Sequence, residues 1–131
     1  MNIGEAADAA GVSAKMIRHY EQIGLLPPPA RSDAGYRLYD DADLHRLRFI
    51  RRARDLGFSI RQIAELMDLW NDPARASADV KRLVGSQLEA LTRKMQEMEA
   101  LRRTLQRLAD SCHGDHRPDC PILDDLSERT P

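Results

Sequence analysis

The sequence predicts an all-α chain interrupted by one short β-hairpin. Three observations carry that reading. Helix start signals of the Ser/Asn/Asp type, each followed three residues on by an acid or amide, recur at Asn2, Asp40 and Ser59. A stretch with three consecutive prolines and two tyrosines, "PPPARSDAGYRLYD", separates the first helices from the later ones. Beyond Pro73 an apolar stripe continues from Ser77 to Ala109 with no proline and with Gly85 as its only glycine. A content of 42% hydrophobic but only 5% aromatic residues suits long amphipathic helices better than a thick core.

In "NIGEAADAAGVSAKMIRHYEQIGLL", Asn2 and Glu5 have capping-box spacing, so a first helix should run from Ile3 to about Ala10 and end at Gly11. Ser13 caps a second helix that Gly24 stops. The pair reads as a helix–turn–helix. Its second helix carries Lys15, Arg18, His19 and Tyr20, with Met16, Ile17 and Ile23 as its expected anchors. The proline stretch cannot be helical. Asp33-Ala34-Gly35 is turn-like and Tyr36, Leu38 and Tyr39 favour strand, which gives a hairpin with Arg31 and Arg37 on either side of the turn. It is a plausible wing beside a DNA-reading helix.

Asp40 to Asp43 place negative charge at the next helix start, and Leu44, Leu47, Ile50 and Leu56 follow helical spacing until Gly57. Ser59 and Gln62 open a fourth helix lined by Ile60, Ile63, Leu66, Met67 and Trp70. Asn71-Asp72-Pro73 ends it, and Ser77 or Asp79 restarts the pattern. From there Val84, Leu91, Met98 and Leu105 recur every seven residues. Val80, Leu101 and Leu108 take the partner positions, while Leu88 and Met95 widen the stripe. This is a coiled-coil seam, and one helix cannot bury it alone. A second copy of the chain is the simplest partner; packing within one bundle is the other.

Net charge is −1, from 20 Lys plus Arg against 21 Asp plus Glu. That total hides an uneven distribution. Arg46, Arg48, Arg51, Arg52 and Arg54 crowd one helix, while Asp115, Asp119, Asp124, Asp125 and Glu128 gather at the end. A basic face of this kind fits a polyanion. The first residues lack the basic start and apolar run of a signal peptide, and no stretch approaches the roughly twenty apolar residues that span a bilayer. A cytoplasmic chain with reduced thiols and no membrane partner is expected. No acid/base pair or nucleophile constellation appears outside the cysteine-bearing end, so an enzyme is not expected.

Together "RHYEQIGLL", "GYRLY", "LRFIRRARDLGFSIRQI", the long helix and "CHGDHRPDCPIL" resemble the MerR family of transcription regulators, and the last of these resembles its copper-efflux branch (CueR- and HmrR-like). The resemblance covers essentially the whole chain. It implies a winged helix–turn–helix DNA-binding domain over 1–70, a hinge and long antiparallel coiled-coil dimerisation helix over 71–110, and a metal-binding loop with a short C-terminal helix over 111–131. It further implies a homodimer on a near-palindromic promoter that distorts the DNA for RNA polymerase when metal binds. Lys15 and Arg18, beside His19 and Tyr20, then suit base edges or phosphates in the major groove. Arg31, Tyr36, Arg37 and Arg54 suit phosphates.

The "SCHGDHRPDCP" stretch holds the only two cysteines, Cys112 and Cys120, with His113 and His116 between them. A disulfide is disfavoured in the cytosol, and inert buried thiols belong within apolar periodicity rather than among Gly, Asp, Pro and Arg. A metal is the remaining reading. Zinc in a closed site wants N or S donors from Cys112, His113, His116 and Cys120 together. Cu(I), with Ag(I) or Au(I) as substitutes, is content with the two thiolates. A bis-thiolate Cu(I) unit is anionic, which the start of the helix at Cys120 favours. The family resemblance adds Lys81 near that charge, and serine at Ser77 where divalent-sensing branches carry cysteine. Cys112 and Cys120 are therefore the expected ligands, with Ser77 and Lys81 behind them. The rival functions are a divalent-metal regulator, a thiol redox sensor, and a metal-buffering protein that would need no wing.

Overall fold

Four short helices and a hairpin build most of the first of two compact units, Met1–Val84; the second begins at Gly85. The computed structural model describes residues 1–127. Helix α1 (Ile3–Ala10) starts at Asn2, whose side chain accepts from the Glu5 amide at 2.8 Å while the Glu5 carboxylate accepts from the Asn2 amide at 3.1 Å. It ends at Gly11 with φ 68°, the left-handed conformation that a side chain resists. Helix α2 (Ala14–Gln22) is capped by Ser13, α3 (Asp41–Asp55) by a reciprocal Asp40–Asp43 box, and α4 (Ile60–Asn71) by a Ser59–Gln62 box. Each start falls where the sequence places it.

These helices close over one core. Ile17, Leu47, Ile50 and Ile63 are fully enclosed, with Ala6, Tyr20, Leu26, Tyr39 and Phe58 around them. Helix α1 packs on both α2 and α3, and α3 packs on α4. The anchors of α2 differ from expectation. Ile17 and Tyr20, three residues apart on one helical face, are buried, while Ile23 lies past the helix end and is 44% exposed. Trp70 also turns outward and stacks on Phe49 of α3, with centroids 4.6 Å apart and planes 8° from parallel.

The wing is a two-stranded antiparallel hairpin, β1 (Ala30–Arg31) and β2 (Arg37–Leu38), with Arg31 directly opposite Arg37. Its turn closes through the Gly35 amide to Ser32 O at 2.8 Å, and Gly35 adopts φ 86°. Tyr39 lies just past the strand. It is buried in the core, and its amide donates to Met1 O at 2.7 Å.

Helix α5 runs from Ser77 to Ser111. Val80 and Leu83 in its first two turns pack against the core of the first unit. The first compact unit therefore takes in the start of α5, up to Val84. Farther along, Val84, Leu88, Leu91, Met95, Met98, Leu101 and Leu105 are 41% to 70% exposed, whereas Leu108 is buried. Helix α6 (Pro121–Ser127) begins after Cys120, whose carbonyl accepts from the Asp124 amide at 3.0 Å. The last four residues of the expected third module, 128–131, lie outside the described residues.

Candidate nucleic-acid interface and thiol loop

The exposed side of α2 carries two cations and a histidine. Ile17 and Tyr20 face the core, so the helical period turns Lys15, Arg18, His19 and Gln22 outward, where they line an open hollow of about 500 Å³. Lys15, Arg18 and His19 lie on that exposed side. Tyr20 is 2% exposed, and its hydroxyl accepts from Arg54 Nη1 at 3.5 Å.

The arginine run of α3 divides by partner. Arg46 pairs with Asp43 at 3.4 Å, one helical turn away. Arg51 donates to Ala10 O at 3.5 Å and lies 3.9 Å from Asp55. Arg54 meets Tyr20, and Arg48 and Arg52 are exposed. A hollow of about 290 Å³ beside the α1–α2 turn gathers Ser13, Tyr20, Arg51, Arg54 and Asp55, so two guanidinium groups and one carboxylate border it.

On the wing, Tyr36 is 72% exposed and Arg31 donates to Gly35 O at 2.8 Å, tying the turn. Arg37, a phosphate candidate of the wing, donates its Nε to Glu21 Oε2 at 3.1 Å. Tyr39 donates its hydroxyl to the other oxygen of the same carboxylate. Burial first, and then this hydrogen bond, hold the Tyr39 phenol well above the ordinary tyrosine range. Sequence reading missed Glu21. A carboxylate in the last turn of a helix opposes the macrodipole, and that is the signal that a cationic partner should be sought.

Cys112 and Cys120 are free, half-buried thiols at the two ends of the loop between α5 and α6. Both line one pocket of about 290 Å³, with His113, Asp115, Arg117 and Asp119. His116 is outside that lining. Asp115 is engaged by Arg117, accepting from its amide at 2.9 Å and its Nε at 2.8 Å. Those bonds hold its carboxyl below the usual carboxylate range. Among the described residues no three His, Cys, Asp or Glu side chains converge as a metal-binding group. Ser77 and Lys81 are exposed, one helical turn apart at the start of α5, and belong to the first unit, whereas the cysteines belong to the second.

Comparison with known proteins matches the model of the MerR HTH family regulatory protein to residues 1–70, and that of MerR, DNA binding to residues 44–108. The chain belongs to the MerR family. Its relatives include "Heavy metal-dependent transcription regulator 2" of Rhizobium meliloti, 55% identical over 97% of this chain and 86% of that one. The HTH-type transcriptional regulator CueR of Salmonella typhimurium is 44% identical, over 97% and 92%. A similar solved structure is the transcription regulator PbrR691 from Ralstonia metallidurans in complex with lead(II). Its TM-score is 0.85 at 38% identity, over 97% of this chain and 99% of that one. MerR-family membership makes this chain a DNA-binding regulator, not an enzyme. It also assigns α1, α2, the wing, α3 and α4 to the family's helix–turn–helix region. Among the described residues no helix is long and apolar enough to cross a membrane.

Proposed function

We propose that this MerR-family chain is a cytoplasmic, Cu(I)-responsive transcription activator of copper-efflux genes, with Ag(I) or Au(I) as substitutes. It acts as a homodimer on a near-palindromic promoter, whose DNA it distorts for RNA polymerase. The observation that carries the metal assignment is the pocket shared by Cys112 and Cys120, in which Asp115 is already bound to Arg117; His113 and Asp119 border it too, but among the described residues no three donors form a metal-binding group. A soft monovalent ion is satisfied by two thiolates, while zinc in a closed site needs about four donors. His113 and His116 stay outside the ligand set.

The exposed stripe on α5 supports the homodimer, since Leu88, Met95, Met98, Leu101 and Leu105 are each at least 60% exposed in the single chain. Two linked winged helix–turn–helix units gain by joint binding the affinity that one lacks. Bending or untwisting promoter DNA costs on the order of a few kcal/mol, so a ligand that favours one dimer shape by that much suffices to switch it. Serine rather than cysteine at Ser77 withholds the third thiolate that a divalent ion requires.

The deciding experiment titrates Cu(I), Ag(I) and Zn(II) into a DNA-dependent transcription assay. Activation by Cu(I) and Ag(I) without Zn(II) is expected. Equal activation by Zn(II) overturns the copper assignment in favour of the four-ligand site, and activation by oxidant alone favours the redox reading.

A further inference from the structure

Two arginines face each other across the wing, Arg31 opposite Arg37. Like charges directly opposite in an antiparallel pair repel, so a two-stranded wing of this composition needs a relieving partner. The structure supplies one for each. Arg31 turns to Gly35 O within the hairpin, and Arg37 turns to Glu21 on α2. The Glu21 side chain is only 10% exposed and uses both oxygens, one for Arg37 and one for Tyr39. Tyr39 is itself fixed in the core, 3% exposed. Glu21 thus joins three elements: the reading helix, the wing strand and the core residue that follows the strand.

We infer that Glu21 is a positioning residue that locks the wing to the groove-reading helix, so that Arg37 and α2 meet DNA at one fixed angle. This rests on the DNA-binding roles proposed above for α2 and the wing, and adds a residue those roles do not contain. Held by Nε, Arg37 keeps its terminal guanidinium nitrogens for a phosphate. An unpaired Arg37 would sample many rotamers and pay that entropy on binding.

The sign of one substitution separates this reading from the simpler one. A carboxylate beside a DNA-facing helix that merely repels phosphates would, when removed, leave binding tighter. A positioning carboxylate, when removed, leaves it weaker. The test uses the full-length protein and a duplex recovered by in-vitro selection with the wild type. Glu21→Ala should bind that duplex about ten-fold more weakly, the loss of one charge-assisted pairing. Its salt slope should fall by about one phosphate contact. Hydroxyl-radical protection should disappear at the wing phosphates yet persist under α2, with circular dichroism unchanged. Glu21→Gln should recover part of the affinity, because its amide oxygen still accepts. Glu21→Ala and Arg37→Ala should not add when combined. Tighter binding by Glu21→Ala, an unaltered footprint, or additive effects would each overturn the proposal. Should Glu21→Ala fail to fold, Tyr39→Phe removes only one hydroxyl; wild-type affinity and footprint in that variant would overturn it as well. Failure of the wild type to select any duplex would instead remove the DNA-binding reading itself.

Discussion

The guanidinium of Arg51 occupies the space a side chain on Gly11 would need: a Cβ at Gly11 would lie 1.8 Å from Arg51 Nη1. Gly11 also adopts φ 68°, and Arg51 reaches Ala10 O just before it. One arginine of the basic run thus secures the α1–α2 turn, which fixes the start of the reading helix. Gly11→Ala should cost about 1 kcal/mol, from left-handed strain, since the flexible end of Arg51 can move aside. Urea unfolding measures it, and an unchanged midpoint would refute the strain at this left-handed position. Gly11→Asn should cost less backbone strain, because asparagine tolerates this conformation better.

Replacing Leu91 and Met98 together by glutamate should give monomers. Both side chains are exposed on α5, 41% and 68%, and a charge at a seam position loses apolar burial and gains a desolvation penalty. Sedimentation at micromolar protein should shift from dimer to monomer, with operator binding severely weakened. A wild-type monomer at that concentration would end the homodimer proposal.

Arg18→Ala should weaken operator binding and relax its sequence preference, since Arg18 lies in the outward hollow of α2. Arg31→Ala should lower affinity evenly across sequences and reduce the salt slope by about one. Footprints and salt titrations distinguish the two. Copper should change DNA affinity little, because both forms are expected on the same promoter; copper-induced release would indicate a simple repressor.

Cys112→Ser and Cys120→Ser should each abolish metal-dependent activation while leaving DNA binding intact, because the cysteines lie in the second unit and the reading helix in the first. His113→Ala and His116→Ala should activate nearly normally. X-ray absorption of the copper-loaded protein should show two sulfurs and no nitrogen shell. Imidazole nitrogens at bonding distance would promote the four-ligand site. In the converse direction, Ser77→Cys should admit divalent ions; a response that stays confined to monovalent ions would mean that the added thiol does not reach the partner's loop.

Local order was legible in the sequence because it is written within a few residues. The boxes at Asn2–Glu5, Asp40–Asp43 and Ser59–Gln62 each close over three residues, and Gly11, Gly24 and Gly57 stand where the chain must turn with positive φ. The thiol pair was legible for the same reason, since one loop carries both cysteines and the structure lines one pocket with them. Residue type and spacing alone also marked the outward cations of α2 and the exposed stripe of α5.

The tertiary structure decided which of two amphipathic options each ambiguous residue took. Tyr20 has both an apolar ring and a polar tip, and only the packed position of α3 made it a core residue holding Arg54. Arg51 and Arg37 read as basic surface, and folding gave them partners 41 and 16 residues away, at Ala10 and Glu21. Val80 lies on the apolar stripe of α5, yet the open edge of the first core took it, together with Leu83. Periodicity specifies that a face is apolar or charged; which surface meets it depends on chain segments distant in sequence, and only folding brings those together.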